Sequence, residues 1–327
     1  MAKRVLFIGG TGQISYPCVE RAVSEGFEVS VFNRGKSGAA LPAGVTSIVG
    51  DMKGPEYDAL AEGGYDIVCQ FIAFTPDQVA KDIGIFSGKV VQYIFISSAS
   101  VYEKPARHYV ITEKTPAINP FWTYSQNKIA CEQLLKDSNG LSWTIIRPSH
   151  TVRTGLPTMM GEGDLIARRM IEGDPVIVAG DGNTPWTLTR SADFAVPFVG
   201  LFSKSDALGE AFHITSDLAH SWDAIYVSIG KALGVEPKIV HVPTDTLVRY
   251  HHEWEGPLTG DKSWPALFDN SKVKSVAGQF SCETNLDEIL VESVKYLKQR
   301  LDSGLPPKGE MDALLDRICA GQSALGR

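Results

Sequence analysis

The feature that most constrains the fold of this chain is a glycine-rich turn near its N-terminus, at residues 8–15. It follows an apolar run at residues 4–7, which predicts a buried strand, and it precedes apolar residues at helical spacing. Such a turn needs glycine where a pyrophosphate approaches the backbone and the first N–H groups of a helix face that anion. Gly9 and Gly12 fit this pattern, whereas Ser15 stands where a third glycine is usual. We therefore expect a dinucleotide site; the alternative is a glycine turn that binds nothing.

Apolar segments of strand length alternate with helical segments over the first half of the chain. Strands are predicted at residues 4–7, 28–32, 45–49, 66–72, 92–96 and 142–146. Alternation of this kind implies an α/β fold with a parallel sheet covered by helices on both faces. The alternation changes from about residue 151, and a length of 327 residues suits two lobes. We expect a dinucleotide-binding domain over residues 1–150, to which some later segments return, and a substrate-binding lobe over residues 151–327.

Helical patterns in the second half add detail to this lobe. A helix is predicted at residues 164–171, where Arg168 and Arg169 are interpreted as a solvated face, and another at residues 310–319. An amphipathic helix is predicted at residues 285–301. We expect its inner side to carry four apolar residues: Ile289, Val291, Val294 and Leu297.

The residue pair after the second predicted strand bears on the choice of cofactor. Ligands of a parallel sheet bind beyond the carboxyl ends of its strands. Asn33 and Arg34 stand there. An acidic residue would grip the ribose hydroxyls of NAD, whereas a neutral Asn beside Arg suits a 2′-phosphate, so this pair favours NADP over NAD. A polar, solvated turn is the alternative interpretation.

The next two strands end in further candidates for cofactor contact. Asp51 and Met52 follow the third strand, where they are placed to meet the adenine amine and ring, although Asp51 is equally suited to cap a helix. Phe71, Ile72 and Ala73 end the fourth strand and are expected to border the middle of the cofactor. Their apolar character is also that of a buried sheet.

A second signature lies at Tyr124 and Lys128, which are four residues apart and therefore share one helical face. An ammonium near a phenol stabilises the phenolate and lowers a tyrosine pKa that starts near ~10. Such a tyrosine acts as a general acid or base on a hydroxyl or carbonyl, and the lysine can also hold the nicotinamide ribose. Ser98 follows the fifth strand and is placed to hydrogen-bond the same substrate oxygen. By itself this spacing is also that of a solvated helix face.

Together these features resemble the extended short-chain dehydrogenase/reductase superfamily, specifically its NAD(P)-dependent epimerase/dehydratase family. The resemblance covers nearly the whole chain and includes Ser-Ala-Ser-Val-Tyr at 98–102 and Arg147-Pro148 after the sixth strand. It implies a Rossmann-type doubly wound parallel sheet with a smaller C-terminal α/β substrate lobe, and a homodimer. It also implies Tyr124 as acid/base, Lys128 as its partner and Ser98 as the orienting hydroxyl. The residues implied at the pyrophosphate are Gly9, Gly12, Gln13 and Ile14.

The substrate positions depart from the family pattern in two places. His150 stands where nucleotide-sugar enzymes of this branch commonly carry Asn, which puts a UDP- or dTDP-sugar substrate in doubt. Its role, as a substrate contact or as a structural histidine, is left open. Sugar dehydratases of the branch carry an Asp-Glu pair where Ala99 and Ser100 stand, so dehydration is disfavoured. The residues expected to contact substrate are Ser98, Ser100, Tyr124, His150 and Arg190, the last of which is equally plausible as a surface arginine.

Composition and charge exclude several other classes of protein. A net charge of −7 argues against nucleic acid as the main partner. Five scattered cysteines without a C-x-x-C pair favour reduced thiols in a cytosol over a disulfide framework or a zinc site. His241, His251 and His252 lack the spacing and carboxylates of a metal site, so none is predicted. The early first strand leaves no room for a signal peptide and no apolar run is long enough to span a membrane, so we expect a soluble, cytoplasmic protein.

These observations predict an NAD(P)-dependent oxidoreductase or epimerase that acts on a secondary alcohol of a sugar, nucleotide sugar or sugar-like polyol. Nothing in the sequence separates epimerisation from net oxidation or reduction. The alternative is a non-catalytic dinucleotide-sensing or RNA-binding protein on the same fold, because the resembling family includes plastid RNA-binding members and redox-sensing regulators. The intact Tyr–Lys pair and the acidic composition favour the enzyme.

Overall fold

A parallel sheet of seven strands organises this computed structural model, which describes residues 2–36, 38–160, 163–302 and 304–325. In chain order the strands are β1 (Arg4–Ile8), β2 (Glu28–Asn33), β3 (Thr46–Val49), β4 (Ile67–Gln70), β5 (Gln92–Ile96), β6 (Val110–Ile111), β7 (Trp143–Pro148), β8 (His150–Val152), β9 (Val176–Ala179), β10 (Pro185–Trp186), β11 (Leu188–Arg190), β12 (Glu210–Ile214), β13 (His220–Ser221), β14 (Ile239–Val242) and β15 (Leu267–Phe268). The order across the main sheet is β12-β7-β5-β4-β1-β2-β3, with every pair parallel.

Helices connect these strands. In chain order they are α1 (Ser15–Ser24), α2 (Pro55–Asp58), α3 (Pro76–Phe86), α4 (Thr123–Asp137), α5 (Gly163–Glu172), α6 (Ser191–Gly200), α7 (Trp222–Leu233), α8 (Thr244–Tyr250), α9 (Glu255–Pro257), α10 (Ser271–Ala277), α11 (Leu286–Leu301) and α12 (Glu310–Leu325). None of the helices within the described ranges combines the length and the hydropathy needed to cross a bilayer.

The sheet confirms the predicted Rossmann-type α/β class, because its central strands are parallel and buried on both faces. Val5 and Phe7 of β1 face a core shared with α1 and α6, whereas Leu6 and Ile8 face the opposite core, shared with α3 and α4, and all four are 0% exposed. The strand order changes direction between β1 and β4, and this switch point opens a crevice at the carboxyl ends of both strands. The fourth strand ends at Gln70, two residues before the predicted end.

Several segments that follow residue 150 pack with the main sheet. Strand β12 pairs with β7 at the sheet edge, α6 packs against α1, and α10 packs against α6. The sequence analysis allowed for such returning segments without naming them. The remaining elements form a second core around the parallel pair β9 and β14, with α5, α7, α11 and α12 around it.

The interpretation of Arg168 and Arg169 as a solvated face is wrong. Their side chains are 1% and 0% exposed, because α12 covers them and supplies carboxylates. Asp312 pairs with both guanidinium groups, and Asp316 accepts a 2.5 Å hydrogen bond from Arg169. Buried arginines of this kind are found where charged partners are supplied by another element.

The prediction that Val291 lies on the inner side of α11 is also wrong. Val291 is 57% exposed, whereas Leu290 is fully buried beside Ile289, Val294 and Leu297. At 100° per residue, position 290 falls within the stripe that 294 and 297 define, and position 291 falls outside it.

Candidate functional site

The glycine turn after β1 brings the backbone close to neighbouring segments. Gly9 has a φ of +87°, and a Cβ there would lie 2.4 Å from Ile72, so this position requires glycine. The Ser15 hydroxyl donates to the Gly9 carbonyl at 2.6 Å and accepts from the Gly12 amide at 2.8 Å. Ser15 therefore closes the turn by hydrogen bonds where the usual pattern has a third glycine. No side chain caps α1, which leaves its first N–H groups available to a phosphate.

Gln13 links this turn to β8 and to the loop that follows it. Its Nε2 donates to the Thr151 carbonyl at 2.8 Å, and its Oε1 accepts from the Gly155 amide at 3.0 Å. The side chain thus joins the glycine turn to a segment more than a hundred residues later in the chain. The four residues expected at the pyrophosphate all line one trough beside the sheet: Gly9, Gly12, Gln13 and Ile14.

An outer cavity of about 620 Å³ lies at one end of this trough. Four predicted cofactor residues line it: Asn33, Arg34, Asp51 and Met52. Two of them also shape their own turns, since the Asn33 carboxamide oxygen accepts from Gly35 N at 2.7 Å and the Asp51 carboxylate from Lys53 N at 3.0 Å. The structure adds two lysines that the sequence analysis did not single out, Lys36 and Lys53.

The basic side chains of this outer cavity are exposed. Within the described ranges, no carboxylate forms an ion pair with Arg34, Lys36 or Lys53. The outer cavity therefore presents cationic groups at the end of β2, the place where dinucleotide sites meet the adenosine ribose.

The segment after β4 borders the trough in three different ways. Ile72 lines both the trough and the outer cavity. Phe71 turns its ring into the core beside the sheet, where it stacks on Phe7 at 6.1 Å between ring centres. Ala73 is buried and offers its carbonyl to Lys128.

Lys128 is held under the trough by two carbonyl groups. Its Nζ donates to the Ala73 carbonyl at 2.8 Å and to the Ile96 carbonyl at 2.7 Å, and the residue is 1% exposed. Burial lowers the pKa of Lys128 to about 8. The ammonium lies 5.9 Å from the centre of the Tyr124 ring, so the two residues share a face of α4 as the spacing predicts.

The expected depression of the Tyr124 pKa is wrong for the protein chain alone. Burial raises the pKa of Tyr124, while a hydrogen bond with Ser98 works against this rise and the charge of Asp261 adds to it. The Lys128 ammonium donates to two backbone carbonyls and forms no hydrogen bond with the Tyr124 hydroxyl in the described chain. Tyr124 therefore stands in the described site as a protonated phenol at neutral pH.

A chain of three serine hydroxyls leads to Tyr124. Ser125 Oγ donates to Ser100 Oγ at 2.7 Å, and Ser100 Oγ lies 2.9 Å from Ser98 Oγ. Because Ser100 Oγ accepts from Ser125, its own proton is free to be donated to Ser98, and in that arrangement Ser98 keeps its proton for a further acceptor. Asn119 fixes this turn by donating to the Ser100 carbonyl at 2.7 Å.

A buried ion pair sets the position of α4 against the sheet. Arg147 of β7 donates to both carboxylate oxygens of Glu132, at 2.9 and 2.5 Å. Ser97 donates to the same carboxylate at 2.6 Å, and the pKa of Glu132 stays low because these donors outweigh the effect of burial. Since α4 also carries Tyr124 and Lys128, the pair positions both residues through the helix, and the charge of Glu132 also works against the lowering of the Lys128 pKa by burial.

An inner cavity of about 290 Å³ begins where the trough ends. Both spaces share Ser98, Tyr124, Pro148 and Ser149 as walls, so Tyr124 stands at their junction. Ser100 and His150 also line the inner cavity. Six further polar and aromatic residues line the inner cavity and were not predicted from the sequence, because no motif or spacing marks them: Lys104, Trp122, Trp186, Asp261, Lys262 and Trp264.

His150 is a neutral member of this wall. Burial and the nearby charge of Lys262 lower the pKa of His150 to about 3. The Trp186 indole donates to His150 Nδ1 at 3.0 Å, so the proton of the neutral ring resides on Nε2. The ring therefore offers one hydrogen-bond donor.

Arg190 is the one predicted substrate residue that the structure does not bring to the inner cavity. Its guanidinium forms two hydrogen bonds with Asp193, at 2.9 and 2.8 Å. This arrangement joins the end of β11 to the first turn of α6.

Comparisons with known proteins agree with this arrangement. A protein-family model described as NAD(P)H-binding matches residues 9–171. The chain is 29% identical over 256 residues to the chloroplast stem-loop binding protein of 41 kDa b from Arabidopsis thaliana, which covers 73% of this chain and 66% of that protein. The chain thus spans just under two thirds of that relative's length.

A second curated relative aligns with almost the whole chain. It is 2′-dehydrokanamycin reductase from Streptomyces kanamyceticus, 24% identical over 330 residues, with 99% of this chain and 93% of that protein covered. Among solved structures, the UDP-glucuronic acid 4-epimerase from Bacillus cereus, in complex with UDP-glucuronic acid and NAD, superposes with a TM-score of 0.72. That likeness concerns the fold: it has 18% identity and covers 91% of this chain and 99% of the other.

Proposed function

Because this chain belongs to the extended short-chain dehydrogenase/reductase superfamily of NAD(P)-dependent enzymes, we propose that it oxidises or epimerises a secondary alcohol of a sugar or sugar-like polyol, or reduces the corresponding ketone. The observation that carries the proposal is the position of Tyr124, at the junction of the trough and the inner cavity. A proton donor at that junction reaches both a group in the trough and a polar ligand beyond it.

The trough and the outer cavity fit a dinucleotide. The turn at Gly9 and Gly12 and the uncapped start of α1 suit a pyrophosphate, and the outer cavity suits the adenosine. A bound nicotinamide accepts or supplies the hydride of the reaction. Lys128 is the residue of this chain best placed to hold the nicotinamide ribose, because its ammonium lies under the trough.

Tyr124 moves the proton. In reduction its phenol gives a proton to the carbonyl oxygen of the substrate, and in oxidation its phenolate takes the proton of the alcohol. Ser98 donates to the same oxygen, and the hydrogen bonds that connect Ser125, Ser100 and Ser98 hold its hydroxyl in place. Dehydration is disfavoured, because Ala99 and Ser100 stand where sugar dehydratases of the family carry their Asp-Glu pair.

The cationic groups of the outer cavity support NADP as the preferred cofactor. Arg34, Lys36 and Lys53 are available to a 2′-phosphate, and no carboxylate of β2 is available to the ribose hydroxyls of NAD, since Asn33 ends that strand. The structure of the Bacillus cereus epimerase contains NAD, and this describes the cofactor of that protein alone.

The test is a panel of sugars and polyols offered to the purified protein with NADP⁺ or NAD⁺. We expect at least one secondary alcohol to be consumed. Net formation of NAD(P)H identifies a dehydrogenase, whereas an epimer detected by NMR without net NAD(P)H identifies an epimerase. Dinucleotide binding without turnover of any sugar or polyol in either reaction direction would contradict the proposal.

A further inference from the structure

Three charged side chains line the inner cavity beyond Tyr124. Lys104 comes from the loop after β5, and Asp261 and Lys262 come from the segment after α9. Lys104 is 5% exposed as a residue, so the walls of the cavity enclose most of its side chain. Charged groups are rarely buried in this way unless something pairs with them.

Within the described ranges these side chains have no direct partner. No hydrogen bond or ion pair joins the Lys104 ammonium, the Lys262 ammonium or the Asp261 carboxylate to another described group. The three groups do interact electrostatically. Burial lowers the pKa of both lysines, and the charge of Asp261 works against this lowering. The three groups together carry one positive charge.

The backbone around these groups is fixed. Residues Leu258–Lys262 form a π-helical turn, a rare geometry that is frequent at functional sites. Asn119 donates to the Gly260 carbonyl at 2.6 Å with the same amide group that holds Ser100, and the Trp222 indole donates to the Lys262 carbonyl at 3.1 Å. The charged wall is thereby tied to the serine chain at Tyr124.

We propose that the substrate of this site is a small polyol with one anionic group, a carboxylate or a phosphate monoester, which Lys104 and Lys262 bind. This inference rests on the proposed function, because it concerns the end of the substrate that lies away from the alcohol at Tyr124. A carboxylate neutralises the single net positive charge of the cluster, and a phosphate monoester brings a further negative charge to the two ammonium groups. Asp261 accepts a hydrogen bond from a hydroxyl of the same molecule. A polycationic aminosugar is disfavoured by the two lysines.

The size of the inner cavity supports a monosaccharide-sized ligand. Its volume of about 290 Å³ lies at the lower limit of drug-sized ligand sites, which begin at about 300 Å³. Trp186 and Trp264 form apolar walls on which a sugar ring can pack, and His150 adds a neutral donor. A nucleotide carried by the substrate would need additional space.

The experiment is a calorimetric titration of NADP⁺-loaded protein with four probes that share one ring: glucuronate, glucose 6-phosphate, glucose and glucosamine. We expect one of the two anionic probes to bind at least about tenfold more tightly than glucose and glucosamine, the margin of one charge-assisted hydrogen bond. Whether glucuronate or glucose 6-phosphate binds more tightly identifies the carboxylate or the phosphate.

Lys104→Met and Lys262→Met should each weaken that binding by about 10- to 100-fold, whereas Lys231→Met, which removes an exposed lysine 71% accessible to solvent, serves as the matched control. Because Lys104 is buried without a partner, Lys104→Met should also raise the melting temperature of the ligand-free protein. If Lys104 had only a structural role, its replacement would lower the melting temperature. A lower melting temperature together with unchanged probe binding would overturn the proposal.

Two outcomes separate this inference from the proposed function. Equal or tighter binding of glucose or glucosamine overturns the anionic substrate and leaves the role of Tyr124 intact. Binding of an anionic probe that depends on both lysines, in a protein whose Tyr124→Phe variant still turns over substrate at the wild-type rate, upholds the anion site and overturns the proposed function.

Discussion

Tyr124 and Lys128 lie one helical turn apart, yet the structure gives them different tasks. Lys128 is satisfied by two carbonyl groups, and Tyr124 is hydrogen-bonded to Ser98. The spacing of the two residues was predictable, because positions four apart share a helical face. The direction of the Tyr124 pKa was not, because burial and the orientation of the ammonium depend on strands far away in the sequence.

The raised pKa of Tyr124 predicts a pH dependence with a definite sign. Oxidation of the alcohol needs the phenolate, so its kcat/KM should rise with pH through the alkaline range without a plateau at neutral pH. Reduction needs the phenol, so its kcat/KM should stay level at neutral pH and fall only in alkali. The measurement is kcat/KM in both directions against pH. A plateau of the oxidation rate at neutral pH would instead indicate a depressed pKa.

A single cation at the end of β2 should decide the choice of cofactor. Arg34→Ala removes a guanidinium that has no carboxylate partner in the described chain and faces the outer cavity. We expect the Kd for NADPH to rise by about 10- to 100-fold, with little change for NADH, since only NADPH has the 2′-phosphate. Fluorescence titration measures both constants, with Lys89→Ala as a surface control. Tighter binding of NADH than NADPH by the wild type would contradict the NADP assignment.

At the scale of elements, α4 is the part that the site depends on most. It is held by the ion pair of Arg147 and Glu132, whose side chains are 4% and 1% exposed. From the sequence, only Arg147 was noted, as an arginine after the sixth predicted strand. Its partner lies on a helix, and no local pattern connects them.

Removal of one partner should be costly. Glu132→Ala leaves the buried Arg147 guanidinium uncompensated, so we expect a loss of about 3–5 kcal/mol in the free energy of unfolding. Glu62→Ala removes an exposed carboxylate in a surface pair with Lys89 and should cost no more than about 1 kcal/mol. Urea unfolding of both variants gives the two values. Equal losses would show that the buried pair does not secure α4.

The elements also show what a sequence reveals and what it hides. Six of the seven strands of the main sheet lie in the first half of the chain and were predicted, because apolar segments of strand length between turn residues suit a parallel sheet. The short strands β6 and β8 were not predicted. The burial of Arg168 and Arg169 was not, since the helix that covers them begins at Glu310, more than a hundred residues later. The charged wall of the inner cavity was missed for the same reason: Lys104 and Asp261 meet only in the folded chain.

At the scale of the whole molecule, one continuous space runs from the outer cavity through the trough to the inner cavity. The main sheet and its helices supply Tyr124, and Trp186 and Lys262 close the far end. Gln13 and Asn119 tie these parts together, because Gln13 donates to Thr151 and Asn119 donates to Gly260. The formation of a homodimer stays a prediction, which light scattering of the purified protein tests.

The net charge of the molecule argues against RNA binding, although one relative is named for stem-loop binding. A chain with net charge −7 offers little general attraction to phosphate backbones. We therefore expect no saturable binding of a stem-loop RNA at physiological salt in a filter-binding assay. Tight binding that weakens steeply across a salt series would revive the alternative of an RNA-binding protein.

The most direct measurement of the central claim compares the turnover of a secondary alcohol by the wild type and by Tyr124→Phe, with dinucleotide binding measured in the same samples. Tyr109→Phe, which removes the hydroxyl of a tyrosine 74% exposed, is the matched control. The account predicts that Tyr124→Phe binds dinucleotide as the wild type does and loses about 10²- to 10⁴-fold in kcat, while the control keeps its rate. Full turnover by Tyr124→Phe, or a wild-type protein that binds no dinucleotide, would contradict it.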